Sequence, residues 1–242
     1  MSENSEESLI SHLEALRETL LKCIFALLIG IPFTLYLAPQ ALKLLINIVA
    51  GKSNVIFNYF SPMEVFLIQL KTALVLDIVL CFPYIIKKFW DFLVPALYDN
   101  ERKFIKNTVI LSTILFASGA AFCIFVIMPV VVKFGLSFSG SNINPMFGIS
   151  NIINLTLVMS IALGVMFQTP LVALGLIKAG IVSYETLSNL RPYIIVIILI
   201  LAAIFTPPDI VSQLMLGVPT YLLFELGLLF AKINTKKENT NG

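Results

Sequence analysis

Histidine and cysteine are scarce in this sequence, which has one histidine and three cysteines among its 242 residues. The cysteines, Cys23, Cys81 and Cys123, lie in or beside apolar runs and show no CxxC spacing. His12 stands alone near the N-terminus. These residues predict no disulfide framework, zinc site or haem site, and we expect neither a metal nor a cofactor.

Charged residues are also few. Only 12% of the residues are charged and 58% are hydrophobic, an apolar content above that of soluble domains. This composition predicts a polytopic membrane protein. The net charge of +2 comes from scattered basic residues, which argues against nucleic acid as a partner. The acidic N-terminus lacks the pattern of a cleaved secretory signal and should remain on the mature chain.

Several enzyme classes lack their essential groups here. An intramembrane serine protease needs a membrane histidine to activate its serine, but His12 precedes the first apolar run. An aspartyl protease needs two membrane aspartates that share a proton, and Asp77 is the only aspartate well inside an apolar run. The sequence also has no GxxxxGK loop for nucleotide phosphates. We therefore expect that the protein is not an enzyme. Any energy-requiring process that it carries out must be driven by an external gradient or by a partner.

Long apolar runs dominate what is present. A helix needs about 20 apolar residues to cross a hydrocarbon core of roughly 30 Å. The sequence therefore predicts an all-α protein with one membrane domain, residues 1–232, and six spans. Residues 40–50 are predicted to form a short amphipathic helix outside the membrane, and residues 233–242 a disordered cytoplasmic tail. The predicted spans are Leu20–Leu37, Pro62–Ile86, Asn107–Phe134, Ile149–Ile177, Pro192–Phe205 and Ile210–Ala231.

The last two of these spans are predicted to be short. A helix over Tyr193–Phe205 rises only about 20 Å, less than the thickness of the hydrocarbon core. The sequence TPPD, residues 206–209, then forces a turn. Either this final hairpin stops below the outer surface or the bilayer thins around it.

Basic residues predict the orientation, because cytoplasmic loops collect lysine and arginine. Twelve of the sixteen fall on one side of the predicted spans, the side that holds both termini. Lys43, Lys52 and Lys133 fall on the other side, and Lys71 lies inside the second span. Both termini are therefore predicted to be cytoplasmic.

Two motifs predict local structure at the spans. In SPME, Ser61 is a candidate N-cap, Pro62 occupies the first helical position and Glu64 can complete a capping box; a ligand role is the alternative for Glu64. In FQTP, Gln168 lies ten residues from the cytoplasmic end of its span, about 15 Å deep and near the bilayer centre. Pro170 is predicted to kink the helix beside it.

Five polar residues fall inside the predicted spans, where they are costly and are functional candidates. The alternative is that they hydrogen-bond between helices. A secondary transporter would use such groups as a substrate or ion path, but the sequence lacks a visible repeat of two matched halves. The five are Lys71, Asp77, Gln168, Gln213 and Glu225.

Seven motifs, in order, resemble those of one family, TatC, the multispanning receptor subunit of the twin-arginine protein translocase. They are HLEALR, SPMEVF followed by Lys71, FLVPALYDNER, FQTP, RPY, TPPD followed by SQ, and LFELG. The resemblance covers nearly the whole chain. It implies a concave, glove-like helical receptor in the bacterial cytoplasmic membrane. Such a receptor binds twin-arginine signal peptides, recruits single-span partners of the TatA and TatB type, self-associates in a larger complex and exports folded proteins using the proton gradient.

The resemblance also implies two sets of signal-peptide contacts, one near the N-terminus and one in the loop after the second span. A glutamate in that loop can accept two parallel hydrogen bonds from an arginine guanidinium. The alternative is that it only balances neighbouring basic residues. The implied contacts are Glu14, Leu16, Arg17, Glu18, Phe92, Pro95, Tyr98 and Glu101.

The final hairpin is the partner-docking site that the resemblance implies, with Ala203, Thr206 and Gln213, and Gln168 adding a hydrogen-bonding group. Two positions depart from the family pattern: Ala15 stands where a glutamate is usual, and Gln168 where glutamate is frequent. Whether Glu14 or Glu18 replaces the missing acid stays open. Structural roles are predicted for Ser61, Pro62, Glu64, Pro207, Pro208, Asp209 and Glu225.

Overall fold

The computed structural model describes residues 3–51, 57–93, 102–138, 146–178, 180–206 and 209–241. Side chains are described within 13–51, 57–92, 106–138, 146–177, 180–206 and 209–232. Nearly all of these residues are helical, which confirms the predicted all-α class. The predicted site residues Pro95, Tyr98, Glu101, Pro207 and Pro208 lie outside the described residues.

Helices follow one another along the chain with two very short strands between them. The helices are α1 (Glu3–Ala50), α2 (Pro62–Leu93), α3 (Arg102–Phe122), α4 (Met128–Leu136), α5 (Ile149–Met166), α6 (Thr169–Lys178), α7 (Tyr184–Asn189), α8 (Arg191–Phe205) and α9 (Ile210–Asn241). A π-helical segment, Cys123–Ile127, joins α3 to α4. The strands are β1 (Phe57–Asn58) and β2 (Phe147–Gly148).

Five helical segments of the described chain are long and apolar enough to cross a membrane. They are Leu13–Ala50, Pro62–Phe92, Lys106–Leu136, Ile149–Ile177 and Ile210–Lys232. The fifth predicted span corresponds to α8, which has only 15 residues, so the six-span count stays a prediction. The last predicted span is not short, because its apolar stretch has 23 residues.

Helix α1 corrects the prediction of a separate helix at residues 40–50. It continues through Pro39 to Ala50 without a break, since a proline removes only one backbone donor and neighbouring helices support the rest. The predicted amphipathic character is present: Leu42, Leu45 and Val49 are buried, while Leu44 is exposed. The end of α1 therefore packs on the protein.

Helix α9 also extends beyond its predicted end. It runs to Asn241, through most of the segment predicted as a disordered tail. Lysine and glutamate there favour helix, and extending an existing helix needs no new nucleus.

The fourth predicted span is divided at its centre. Helix α5 ends at Met166 and α6 begins at Thr169, with Phe167 and Gln168 in a turn. Pro170 cannot donate a backbone hydrogen bond to the carbonyl four residues earlier, so the helix breaks beside it. This confirms the predicted kink.

The N-terminal ends of α2 and α5 are tied together by two short strands. Strands β1 and β2 pair in parallel, with Phe57 opposite Phe147 and Asn58 opposite Gly148. A buried core joins the π-helical segment, α5 and α9 through residues such as Ile127, Met159 and Leu216. The residues directly before α2 and α5 are therefore held together by backbone pairing.

Helices α6 and α9 approach closely at one glycine. A Cβ atom added to Gly227 would lie 2.6 Å from the Cα of Pro170, a distance that side-chain motion cannot relieve. A Cβ atom added to Gly217, on the same helix, would meet only side-chain atoms, Leu199 Cδ2 at 3.2 Å and Ile198 Cγ2 at 3.9 Å. The glycine of the LFELG motif is therefore required by packing.

We predict that Gly227→Ala lowers the melting temperature of the purified protein in detergent, by about 2 to 4 °C. The overlap with the Pro170 backbone outweighs the gain in helix propensity, which is about 1 kcal/mol. The matched variant Gly217→Ala should melt at or above the wild-type temperature. Equal melting of the two variants would contradict the close contact.

Candidate functional site

The N-terminal part of α1 carries four of the predicted signal-peptide contacts on an exposed stretch of helix. Glu18 accepts a hydrogen bond from Lys22 at 2.6 Å, an exposed pair one helical turn apart. Glu14 is exposed and forms no ion pair within the described part of the chain. Leu16 is 38% exposed, and Arg17 is exposed beside it. Of the two acids near Ala15, Glu14 is thus the one without a cation partner among the described side chains.

The second predicted set of contacts follows α2. Phe92 is half-buried near the end of that helix. Pro95, Tyr98 and Glu101 lie outside the described residues, so their roles stay predictions. Phe92 and the exposed end of α1 are therefore the described parts of this candidate site.

Both carboxylate oxygens of Glu64 accept hydrogen bonds from backbone N–H groups. Phe60 N–H donates to Oε2 at 2.8 Å, one residue before the predicted cap position, and Ser150 N–H donates to Oε1 at 3.2 Å. The Glu64 N–H donates to the carbonyl of Ser61 at 3.1 Å. Glu64 therefore caps α2, which begins at Pro62, and also holds the start of α5.

Gln168 sits in the break between α5 and α6. Its Nε2 donates to the carbonyl oxygens of Ser112, at 3.0 Å, and Gly164, at 3.3 Å. Its Oε1, the hydroxyl of Ser112 and the hydroxyl of Thr169 are buried without a hydrogen-bond partner in the described structure. The amide thus ties α3 to α5 and leaves unsatisfied polar atoms beside it.

The other predicted docking residues lie at the end of α8 and the start of α9. Gln213 Nε2 donates across the hairpin to the carbonyl of Leu199 at 3.0 Å. Thr206 donates to the carbonyl of Ala202 at 2.9 Å, and Asp209 accepts from Ser212 N–H at 2.7 Å, capping α9. Ala203 is exposed beside them. Gln168 is bonded to α3 and makes no hydrogen bond to this hairpin in the described structure.

Glu225 has partners that the sequence did not reveal. Arg191 approaches it from the start of α8, with Nε 2.8 Å from Oε1 and Nη2 donating to Oε2 at 3.1 Å. The Nε atom makes a charge contact only, since it has no hydrogen-bond partner. The Tyr221 hydroxyl donates to Oε1 at 2.7 Å. This cluster joins the RPY and LFELG motifs and fixes α8 against α9.

Two intramembrane charges on α2 face different neighbours. Asp77 is 2% exposed and lies against Gly30 of α1, where an added methyl group would overlap the carboxylate. Lys71 Nζ donates to Asn154 Oδ1 at 3.1 Å. Neither Gly30 nor Asn154 was singled out from the sequence, although an asparagine near the start of an apolar span is a signal for a polar contact.

No three metal-binding side chains of the described residues lie close enough together to hold a metal ion. The described site consists instead of exposed acids at one end of α1 and hydrogen-bonded polar groups between helices. Such groups can bind peptides or other helices.

A family model described as "Sec-independent protein translocase protein (TatC)" matches residues 11–219. The chain belongs to the TatC family. A TatC of Carboxydothermus hydrogenoformans is 34% identical over 98% of this chain and 97% of its own length. TatC of Escherichia coli K12 is 30% identical over 98% of this chain and 93% of its own.

Solved structures agree with the family match. A crystal structure of the twin arginine translocase receptor TatC in DDM is 31% identical and superposes with a TM-score of 0.83 over 91% of this chain and 99% of that one. A second TatC crystal structure is 32% identical, with the same TM-score, over 93% and 99%. The predicted family and fold are confirmed. The chain is a multi-pass membrane protein of a twin-arginine translocase, and the alternative of a small-solute transporter is not favoured.

Proposed function

We propose that this protein is the signal-peptide receptor of a twin-arginine translocase in a bacterial cytoplasmic membrane, with both termini in the cytoplasm. The observation that carries the proposal is the likeness to crystal structures of the twin arginine translocase receptor over nine-tenths of this chain. The bias of basic residues toward one side of the helices supports the orientation. The family's role is non-enzymatic. Folded proteins cross the membrane, and the proton gradient supplies the energy.

Signal recognition rests on carboxylates at the cytoplasmic side. An arginine guanidinium donates two parallel hydrogen bonds to one carboxylate, and a lysine cannot reproduce that geometry. Glu101 is the first acceptor that we propose, and Glu14 is the second, because Glu18 is already paired with Lys22. Leu16, Arg17, Phe92, Pro95 and Tyr98 complete the proposed peptide-binding surface.

The partners that we propose are single-span proteins of the TatA and TatB type, which dock at the α8–α9 hairpin. Helix α8 has 15 residues, about 22 Å of rise, so the bilayer beside it must thin or the hairpin must end below its surface. Ala203 is exposed there, Gln213 ties α9 to α8, and Thr206 bonds back to Ala202 at the end of α8. We also propose that several copies of the receptor assemble in one complex.

A cysteine at Ala203 should form a disulfide cross-link with a cysteine in the span of a single-span partner when the two are co-expressed. The matched position Ala231 is buried on α9 and should give no such product. Cross-links only between receptor copies, in the presence of partners, would show that the hairpin is not the docking site.

Glu101→Gln should weaken binding of a twin-arginine signal peptide by about 2 to 5 kcal/mol, because the peptide arginine would lose a charged acceptor in a partly desolvated contact. The neighbouring variant Asp99→Asn should bind nearly as well as the wild type. Binding is measured with purified receptor and a fluorescent signal peptide. A loss of affinity of less than about threefold for Glu101→Gln, below 1 kcal/mol, would show that other residues recognise the signal peptide.

Glu14→Gln should weaken binding of the same peptide by about tenfold, since a charged hydrogen bond is lost. Glu18→Gln removes only an exposed pair with Lys22 and should change the affinity little. A peptide with its two arginines replaced by lysines should not distinguish Glu14→Gln from the wild type. Equal losses for both glutamates would refute the assignment of Glu14.

A further inference from the structure

Lys71 is an exposed cation within a membrane-spanning helix. It lies nine residues after Pro62, about 14 Å along α2, whereas half of the hydrocarbon core is roughly 15 Å thick. A charged side chain at this depth is costly unless another group compensates it. Its surroundings therefore indicate what it binds.

A chain of hydrogen bonds holds the Lys71 ammonium in place. Lys71 Nζ donates to Asn154 Oδ1 at 3.1 Å, and Asn154 Nδ2 donates to Ser150 Oγ at 3.2 Å. Ser150 N–H in turn donates to Glu64 Oε1 at 3.2 Å. The lysine is thus positioned against the first turns of α5, about 8 Å from the start of that helix. A positioned ammonium binds an anion with less loss of side-chain entropy than a freely moving one.

The ammonium keeps two further donors, because it has three hydrogens and Asn154 takes one. Lys71 forms no ion pair with any carboxylate of the described side chains. Glu64 accepts two backbone hydrogen bonds, and Asp77 is buried against Gly30. The asparagine amide is neutral, so the charge of Lys71 stays uncompensated.

The rest of the sequence supplies no counterion on this side of the protein. Residues 38–61 and 135–148, the segments between spans on the outer side of the predicted topology, contain no aspartate or glutamate. Asp209, at the outer turn of the final hairpin, caps α9 through Ser212. A carboxylate for Lys71 must therefore come from another molecule.

The surface around Lys71 is apolar. Leu67 and Leu74, one turn before and after it on α2, are 48% and 43% exposed, and Val158, one turn after Asn154 on α5, is 49% exposed. Leucine and valine side chains at this spacing form a shallow face with a single cation in it. Such a face is complementary to an apolar helix that carries one acid.

We propose that Lys71 is the docking point for a carboxylate on a second membrane-spanning helix, which packs against Leu67, Leu74 and Val158. The depth favours a helix over a phospholipid, because a lipid phosphate lies outside the hydrocarbon core and a helix can carry its carboxylate at any depth. A second copy of this chain does not fit, because Asp77 is buried and Glu225 is paired with Arg191. This inference rests on the proposed function, which includes single-span partners, and it adds that such a partner carries a carboxylate in its membrane-spanning helix.

The test uses the full chain in phosphatidylcholine liposomes with a synthetic leucine-alanine spanning peptide of about 25 residues. One peptide carries a glutamate about nine residues, roughly 14 Å, from its outer end, and its match carries a glutamine there. Fluorescence energy transfer at alkaline pH measures binding. The glutamate peptide should bind the wild type at least about tenfold more tightly than the glutamine peptide.

Lys71→Met should abolish this preference, Lys71→Arg should keep it, and Lys71→Glu should prefer a peptide with lysine at the same position. Equal binding of both peptides to the wild type, or an unchanged preference in Lys71→Met, would overturn the proposal. So would loss of the preference on adding phosphatidylglycerol, which would assign Lys71 to a lipid phosphate.

Binding of a twin-arginine signal peptide to the same liposomes separates this proposal from the receptor function. Wild-type and Lys71→Met proteins should bind the signal peptide equally. Signal binding without a glutamate preference would overturn only the role of Lys71. A glutamate preference without signal binding would overturn only the receptor function.

Discussion

Hydrocarbon offers no hydrogen-bond partners, so each polar group inside the membrane must find its partner in protein. In this structure the few intramembrane polar side chains are also the groups that join helices. Gln168 ties α5 to α3, Gln213 ties α9 to α8, and Arg191 ties α8 to α9 through Glu225. The arrangement of the helices depends on this small set of contacts, because apolar side chains pack against lipid almost as well as against each other.

Apolar length and proline chemistry could be predicted from the sequence, because both act within one helix. The main spans, the break beside Pro170 and the role of Glu64 at the start of α2 all follow from local rules. The continuation of α1 past Pro39 could not, because the packing of Leu42 and Val49 on other helices supports it. Tertiary contact decided that helix end.

The partners of the polar side chains were the least predictable part of the candidate sites. Lys71 and Asn154 are 83 residues apart, and Arg191 and Glu225 are 34 apart. Their meeting depends on which faces of two helices touch, and a helix that is apolar all round gives little indication of its inner face. The TatC motifs located the groups but not the contacts between them.

The two halves of helix α1 differ in how many of their apolar side chains are buried. Leu42, Leu45 and Val49 are buried in the C-terminal half, while Leu13, Phe25 and Ile29 in the N-terminal half are exposed. Pro32 lies between these halves, and the helix from Leu13 to Pro32 covers about 19 residues, or roughly 28 Å. A bend of about 10° at the proline would swing Leu13 and the neighbouring Glu14 sideways by about 5 Å, nearly one helical turn. The position of the exposed Glu14 is therefore sensitive to small differences in the bend of α1 at Pro32.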